Sequence, residues 1–446
     1  MSENEKEQEP EGSPEAENRQ EIDKSPKEEV QQKNGSETEA ASPSTLPDGC
    51  SDGQKDESET PKNGCEDEQK GAAEEKEGQG SNESDAPTSS GEPAPFYREI
   101  MVDMAPSVDA KLVEWMKGYS FDPACITKVH SPKGKVLVLS PEEVQGRDWW
   151  FIGDIHGDIR ALKCIVGKIR SESEDSRIVF LGDIFDRNLE DGGFETVKCF
   201  LSMLRDGNGE IIWLAGNHDT SLQYDEGAKK FPIATNRSEF AKFLNEHPDL
   251  RSFGKELVRI IGTLPEALVF PDGLIASHGG VPHVDVSEKI KSLADFETVE
   301  CSNDFTWGRM TEAKFKYPDR TSRGHELGRQ DFEKFCERSA EAFKEAGCET
   351  PVSGIVFGHQ HLLTNAVGYK KFESYPGNPP SVCLYSSFML EPVMAWGTNA
   401  LYATPCAYHR RSDGTYEVCG FVPQDGGHLD TDLKKEAQDR IDADDE

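Results

Sequence analysis

The sequence of 446 residues predicts an α/β layered fold set between two acidic tails. Three observations carry the prediction. Six short apolar runs are rich in β-branched or aromatic residues, and most of them stop at Gly. Amphipathic stretches of helical period lie between those runs, the alternation expected of layered α/β proteins. Every Phe, Trp and Tyr falls after residue 95.

Taken in order, residues 1–95 hold 27 acids against 9 bases, no aromatic residue, and only Met1, Ile22, Val30 and Leu46 as large aliphatic side chains. Such a segment cannot bury enough surface to offset its ordering entropy, so it reads as a disordered acidic tail. Residues 96–147 read as an amino-terminal cap, with VDAKLVEWMKGYSF as an amphipathic helix and KGKVLVLS as a strand. The main domain, 148–423, contains the six strand runs: WWFIGD (149–154), RIVFLGD (177–183), EIIWLAGN (210–217), GLIASHGG (273–280), GIVFGHQH (354–361) and VCLYSS (382–387). Helical patterns occupy 158–170, 194–206, 238–247, 250–264 and 329–347; Pro248 separates the third from the fourth, and Gly347 closes the last as a C-cap would. Residues 424–446 form a second acidic tail, with nine acids against three bases.

Composition excludes several classes. With 84 acids, 49 bases and a sequence pI near 4.7, the chain repels nucleic acid phosphates and anionic membranes. No run approaches the roughly 18 to 20 apolar residues of a membrane helix, and the start MSENEKEQEP has no targeting character. The eleven Cys are scattered and form no CxxC pair, which points to reduced thiols in the cytoplasm, with the nucleus as the alternative.

Ligands in layered α/β folds sit at the carboxyl ends of strands, and the polar residues of this sequence gather there. The first run ends in GDIHGD, with Asp154 and His156; the second in GDIFDRN, with Asp183, Asp186 and Arg187. The third ends in GNHD, with Asn217, His218 and Asp219; the fourth in SHGG, with His278; the fifth in GHQH, with His359 and His361. One GD after a strand is a common turn, and one His beside Gly is usually a satisfied turn residue. Five successive strand ends delivering carboxylate, amide or imidazole make a different case.

The ordered series GDIHG, GDIFDR, GNHD, HGG and GHQH resembles the metallophosphoesterases (calcineurin-like), and within them the phosphoprotein phosphatase family with its GDxHG, GDxxDRG, GNHE, HGG and a late His. The resemblance covers about residues 148–390. It implies a central β-sandwich of mixed sheets flanked by helices, with two metal ions (Mn, Fe or Zn) at its rim. Asp154 and His156 would bind the first metal, Asp183 would bridge both, and Asn217, His278 and His359 would complete the second. This mixed oxygen and imidazole set suits such metals better than a soft thiolate metal. Two cations would hold and activate a hydroxide for in-line attack on phosphate. His218 would protonate the leaving oxygen with Asp186 orienting it, and Arg187 would grip the phosphate. A second arginine is expected from SRGHELG: Arg323 first, with Arg320 and Arg309 as weaker candidates.

Four departures from the family pattern bear on specificity: Asn188 in place of Gly, Asp219 in place of Glu, the GHQH motif, and SSFMLEPVMAWGTN where a groove-covering loop usually follows the sixth strand. The leading reading is a phosphatase acting on phosphoserine or phosphothreonine, and on phosphotyrosine as a further substrate class. Its substrate would be a phosphoprotein or a phosphorylated small molecule. The alternatives are a nucleotide or dinucleoside polyphosphate hydrolase and a catalytically silent phosphate-binding module. The acidic tail would suit basic protein partners, against the plainer reading of a solubilising tail.

Overall fold

The computed structural model divides the chain into Met1–Ala86 and Pro87–Glu446. The described residues all lie in the second unit: 95–102, 116–118, 134–187, 194–207, 210–233, 239–314, 324–375, 377–388 and 403–424. Both acidic tails, most of the 108–121 stretch, Asn188, Arg320, Arg323 and the segment 389–402 fall outside them.

Fourteen strands occur among the described residues. In chain order they are β1 (Tyr97–Val102), β2 (Val136–Val138), β3 (Trp149–Ile152), β4 (Arg177–Phe180), β5 (Ile211–Trp213), β6 (Ala267–Val269), β7 (Leu274–Ser277), β8 (Arg309–Met310), β9 (Glu326–Leu327), β10 (Gly354–Phe357), β11 (Tyr369–Lys371), β12 (Val382–Leu384), β13 (Cys406–Arg410) and β14 (Tyr416–Pro423). Sheet one runs β1-β14-β13-β3-β4-β5 and sheet two β11-β12-β10-β7-β6-β2, with β8 and β9 paired apart. Each sheet is mixed. Strands β3, β4 and β5 are parallel neighbours, as are β7, β10 and β12.

Side-chain alternation explains why the sheets stack. Trp149, Phe151, Val179, Leu181, Ile212 and Leu214 point from sheet one to Leu268, Phe270, Leu274, Ala276, Val356, Val382 and Leu384 of sheet two, forming the central core. Their neighbours Trp150, Ile152, Ile178, Phe180, Ile211 and Trp213 face the other way, onto helices Ile159–Glu172, Phe194–Asp206, Glu239–Glu246 and Arg251–Ile261. Ile275, Ile355, Phe357 and Cys383 likewise face helices Val299–Trp307 and Arg329–Glu345. Strands covered on both faces must be apolar throughout, which is why these runs show no polar face. Burying each large side chain contributes about 1.5 to 3 kcal/mol. The protein is an α/β sandwich of two mixed sheets flanked by helices.

Local chemistry fixes the element ends. Asp158 caps the helix Ile159–Glu172, its Oδ1 accepting from the N–H groups of Arg160 (3.1 Å) and Ala161 (3.0 Å). Its Oδ2 accepts from the Ser387 hydroxyl and the Phe388 N–H, both at 2.8 Å, tying the turn after β3 to the chain after β12. Helix Arg329–Glu345 ends at Gly347, whose φ of 99° lets the Cys348 N–H reach back to Phe343 O at 2.8 Å.

The six strand runs and KGKVLVLS appear as β3, β4, β5, β7, β10, β12 and β2. The sequence reading left out the β13–β14 hairpin, although its SDGT turn between alternating stretches, with Gly414 at φ 83°, is a hairpin signal. It also left out β6, a three-residue strand bounded by prolines, and β1, β8, β9 and β11, which are short or lie at a sheet edge. Among the described residues no helix is long and apolar enough to cross a membrane, and no disulfide joins the cysteines.

Candidate metal centre

Because β3 and β4 are parallel neighbours, their carboxyl ends deliver two turns side by side. The N–H groups of Ile155 and His156 donate to Asp183 O (3.1 and 2.9 Å), and that of Gly157 to Ile184 O (2.9 Å). Strand β5 adds Asn217 and His218 at the start of a short helix, β7 adds His278, and β10 adds His359 and His361. His156, Asp183, Asp186, Arg187, His359 and His361 all have φ between 48° and 74°. Left-handed backbone of this kind costs about 1 to 3 kcal/mol per residue where the side chain is not Gly. Its concentration at one rim marks a place where side-chain direction outweighs local stability. Two glycines of the motifs are explained by close approach: a Cβ at Gly216 would collide with the Asp183 carboxylate, and one at Gly358 with that of Asp154.

Asp154 and Asp183 are buried, at 0% and 1% exposure. Imidazoles surround them. The His278 Nε2 lies 3.3 Å from Asp183 Oδ2 and 2.8 Å from Asn217 Oδ1, while its Nδ1–H donates to Leu181 O at 3.1 Å. That donation fixes which ring nitrogen faces inward. His359 Nδ1 also lies 2.8 Å from Asn217 Oδ1, and its backbone N–H donates to Asp154 Oδ1 at 3.0 Å. His156 Nε2 stands 3.6 Å from Asp154 Oδ2 and 3.8 Å from Asp183 Oδ2. The ligand atoms of Asp154, Asp183 and His278 lie within 4.8 Å of one another, and so do those of Asp154, His156 and His361.

These donors fit a pair of cations. Buried carboxylates demand positive charge, yet no Lys or Arg among the described residues pairs with Asp154 or Asp183, and the histidines alone answer. Burial by itself would lower the His278 pKa, but Asp183 and then Asp154 take it up to about 9. Burial likewise opposes ionisation of Asp154, and His361 and His278 overcome it, holding the carboxyl well below its usual range. Burial, helped by Arg187, pushes His156 down to about 4 and keeps it a neutral donor. Burial, then His278 and Arg309, holds His359 well below the usual imidazole value, and its Nε2 is buried without a hydrogen-bond partner.

Residues 149–363 match the family model of the calcineurin-like phosphoesterases. This segment is a calcineurin-like phosphoesterase domain. Similar solved structures include a protein serine/threonine phosphatase from Saccharomyces cerevisiae with similarity to human phosphatase PP5, 16% identical with a TM-score of 0.45, covering 69% of this chain and 93% of that one. A putative diadenosine tetraphosphatase is 15% identical with a TM-score of 0.32, covering 64% and 98%. A cold-active protein-tyrosine phosphatase of a psychrophilic Shewanella is 14% identical with a TM-score of 0.36, covering 65% and 84%. No curated protein sequence matches the chain.

Beside the metal ligands implied by resemblance, the phosphoesterase domain carries a polar chain. His218 Nδ1 donates to Asp186 Oδ2 at 2.9 Å, and Arg187 donates to His218 Nε2 at 2.8 Å. The His218 N–H donates to Asp183 Oδ1 at 2.8 Å, which locks the imidazole against the carboxylate pair. Burial would lower the His218 pKa, but Asp183 and Asp186 outweigh it and raise it. Asp219 does not enter the rim. Its Oδ2 accepts from the backbone N–H of Asp183 (2.9 Å) and Gly216 (3.0 Å) and from Trp213 Nε1 (3.2 Å), so the shorter acid at this position braces the turn that holds Asp183. Burial and the Asp183 charge raise its pKa to about 7.

The structure therefore brings together Asp154, His156, Asp183, Asn217, His278 and His359, with His218, Asp186 and Arg187 alongside. Arg323 and Arg320 lie outside the described residues. Arg309, at the start of β8, is partly exposed and close enough to His359 to disfavour its charged form. The sequence places His361 at a strand end without assigning it a role, and the structure sets it among the rim residues. Its Nε2 lies 2.5 Å from Asp154 Oδ2 and 3.1 Å from His156 Nε2. The available signal was the HQH spacing: two turn residues in left-handed backbone, two apart, aim both rings at one rim.

Proposed function

We propose that this phosphoesterase domain is a metal-dependent phosphatase of phosphomonoesters, acting on phosphoserine or phosphothreonine in proteins, with phosphotyrosine as a further substrate. The observation that carries the reading is the chain Asp186–His218–Arg187 set against the buried carboxylate pair. Asp154, His156 and His361 would hold one cation, Asn217, His278 and His359 the other, with Asp183 between. When bound, the metal pair supplies positive charge against the phosphate and a strongly activated water for attack at phosphorus.

The remaining work belongs to side chains. Arg187 offers a guanidinium fork that matches two phosphate oxygens. As it turns to the substrate, it releases the His218 Nε2 that it now contacts. That nitrogen, with Asp186 stabilising the imidazolium through Nδ1, can hold a proton and pass it to the departing ester oxygen. Arg309 or Arg323 would add a second cation at the phosphate.

The test is a paired assay on Mn-supplied protein: phosphate release from phosphoserine, phosphothreonine and phosphotyrosine peptides beside hydrolysis of diadenosine tetraphosphate, with Asp183→Asn as the blank. Peptide turnover that vanishes in the variant supports the reading. Nucleotide turnover alone would replace it with the polyphosphate hydrolase, and silence on both with metal bound would replace it with a phosphate-binding module.

A further inference from the structure

Away from the metal ligands, one buried acid gathers an unusual set of contacts. Asp304, in helix Val299–Trp307, is 0% exposed. Its Oδ2 accepts from the backbone N–H of His283 at 2.9 Å, and its Oδ1 accepts from both the backbone N–H (2.9 Å) and Nδ1 (2.8 Å) of His325. The His283 and His325 rings stack, with centroids 4.7 Å apart and planes 21° from parallel. The charged groups facing this pair come from three elements: Asp304 on its helix, Asp285 at 3.7 Å from His283 Nδ1, and Asp331 of helix Arg329–Glu345 at 3.9 Å from His283 Nε2. That Nε2 is buried without a hydrogen-bond partner.

Each piece joined by Asp304 leads to the rim. His283 follows the HGG turn that carries His278, and Gly279 of that turn donates to Phe305 O at 2.6 Å. Helix Val299–Trp307 ends in Trp307, whose ring centroid is 5.8 Å from that of His359. His325 O accepts from the Arg309 N–H at 2.9 Å, and a Cβ on Gly324 would come within 2.6 Å of Gly308 N. The Gln360 side chain bonds the Met310 backbone at both ends, at 2.7 and 3.1 Å, closing the corner onto the GHQH turn.

We propose that Asp304 is a positioning residue that, through its two hydrogen bonds to His325, locks the β8–β9 corner and so fixes Arg309 beside the phosphate site. This rests on the phosphatase reading above. The bond to Asp304 raises the His325 pKa over the opposing effect of burial, while burial and then His325 lower that of His283. A raised imidazole pKa makes the lock complete below the ordinary value and loosens it as pH rises through the raised one.

The experiment measures KM and kcat for p-nitrophenyl phosphate with the Mn-loaded full chain from about pH 6 to about pH 9. Wild type, His325→Gln and Asp304→Asn are compared. Wild-type KM should climb several-fold toward alkaline pH. His325→Gln keeps a hydrogen-bond donor but cannot titrate, so its KM should be flat, with kcat within about twofold of wild type. Asp304→Asn should raise KM about tenfold at every pH. Should Asp304→Asn fail to fold, the flat profile of His325→Gln decides alone. A His325→Gln curve that follows the wild type overturns the proposal with the phosphatase reading intact; an inactive wild type removes both.

Discussion

His409, Glu417 and Cys419 bring an imidazole, a carboxylate and a thiol within 4.8 Å of one another on β13 and β14, as Asp154, Asp183 and His278 do at the rim. Both groups are buried, but the β13–β14 group lies within sheet one, whereas the rim group joins the ends of β3 and β4 in sheet one to that of β7 in sheet two. They differ in what compensates the acid. Glu417 is met by His409 Nδ1 at 3.0 Å, Arg98 at 3.3 Å and Arg411 at 2.6 Å, and Arg98 also reaches Cys419 Sγ at 3.5 Å. The His409 ring is stacked flat on Trp150, with centroids 3.8 Å apart, and Asp148 stands 3.4 Å from its other nitrogen. Guanidinium groups already fill the place a cation would take. At the rim no guanidinium or ammonium among the described residues pairs with the carboxylates, and ring nitrogens converge on them instead. Proximity of ligand types is therefore a weak criterion for a metal centre, and uncompensated charge is a stronger one.

The contrast breaks most visibly at Asp183. Asp183→Asn should lower phosphatase activity by more than about 100-fold, since even groups that only support metal ligands are worth about 10- to 100-fold. Metal analysis should show the variant retaining less than the wild type after gel filtration, whereas Glu417→Gln retains the full amount. Metal lost equally from both variants would place a cation at the Glu417 cluster and undo the distinction.

His361 sharpens the comparison. Its Nε2 faces both Asp154 and His156, so His361→Ala should weaken Mn affinity by about 10- to 100-fold. Activity should be recoverable at high Mn. His409→Ala, by contrast, should leave the Mn dependence of activity where it is. A His361→Ala enzyme with wild-type Mn dependence would return that histidine to a supporting role.

What the sequence disclosed follows from how each signal arises. Strands covered on both faces leave continuous apolar runs, and ligands at strand ends leave Gly-flanked polar motifs, so β3, β4, β5, β7, β10 and the residues after them could be read directly. The hairpin β13–β14 was passed over because Glu417, His409, Arg410 and Arg411 interrupt its apolar pattern with the charges of a buried network. The role of His361 is not legible in the sequence because the direction of its ring depends on backbone handedness, which composition does not encode. Asp304 and His325 form a pair 21 residues apart in sequence, and neither sits in an apolar run that announces it.

The smallest expected effect concerns stability. Burial alone would raise the Glu417 pKa, but the His409 hydrogen bond, then Arg98 and Arg411, lower it below the usual glutamate value of 4.5. A depressed carboxyl pKa contributes stability that is present above the unfolded value and is lost as pH falls through the folded one. Glu417→Gln should therefore cost about 3 kcal/mol near neutral pH, because it leaves partners of a buried ion pair uncompensated. The deficit relative to wild type should shrink as both are taken below pH 4.5, where the wild-type carboxylate is itself being protonated. Urea midpoints of the two proteins, both stripped of metal so that the rim does not add its own acid transition, measure the difference. A deficit that stays constant into acid would assign the cost to packing around Trp150 and His409, and Glu417 would then owe its place to shape rather than to charge.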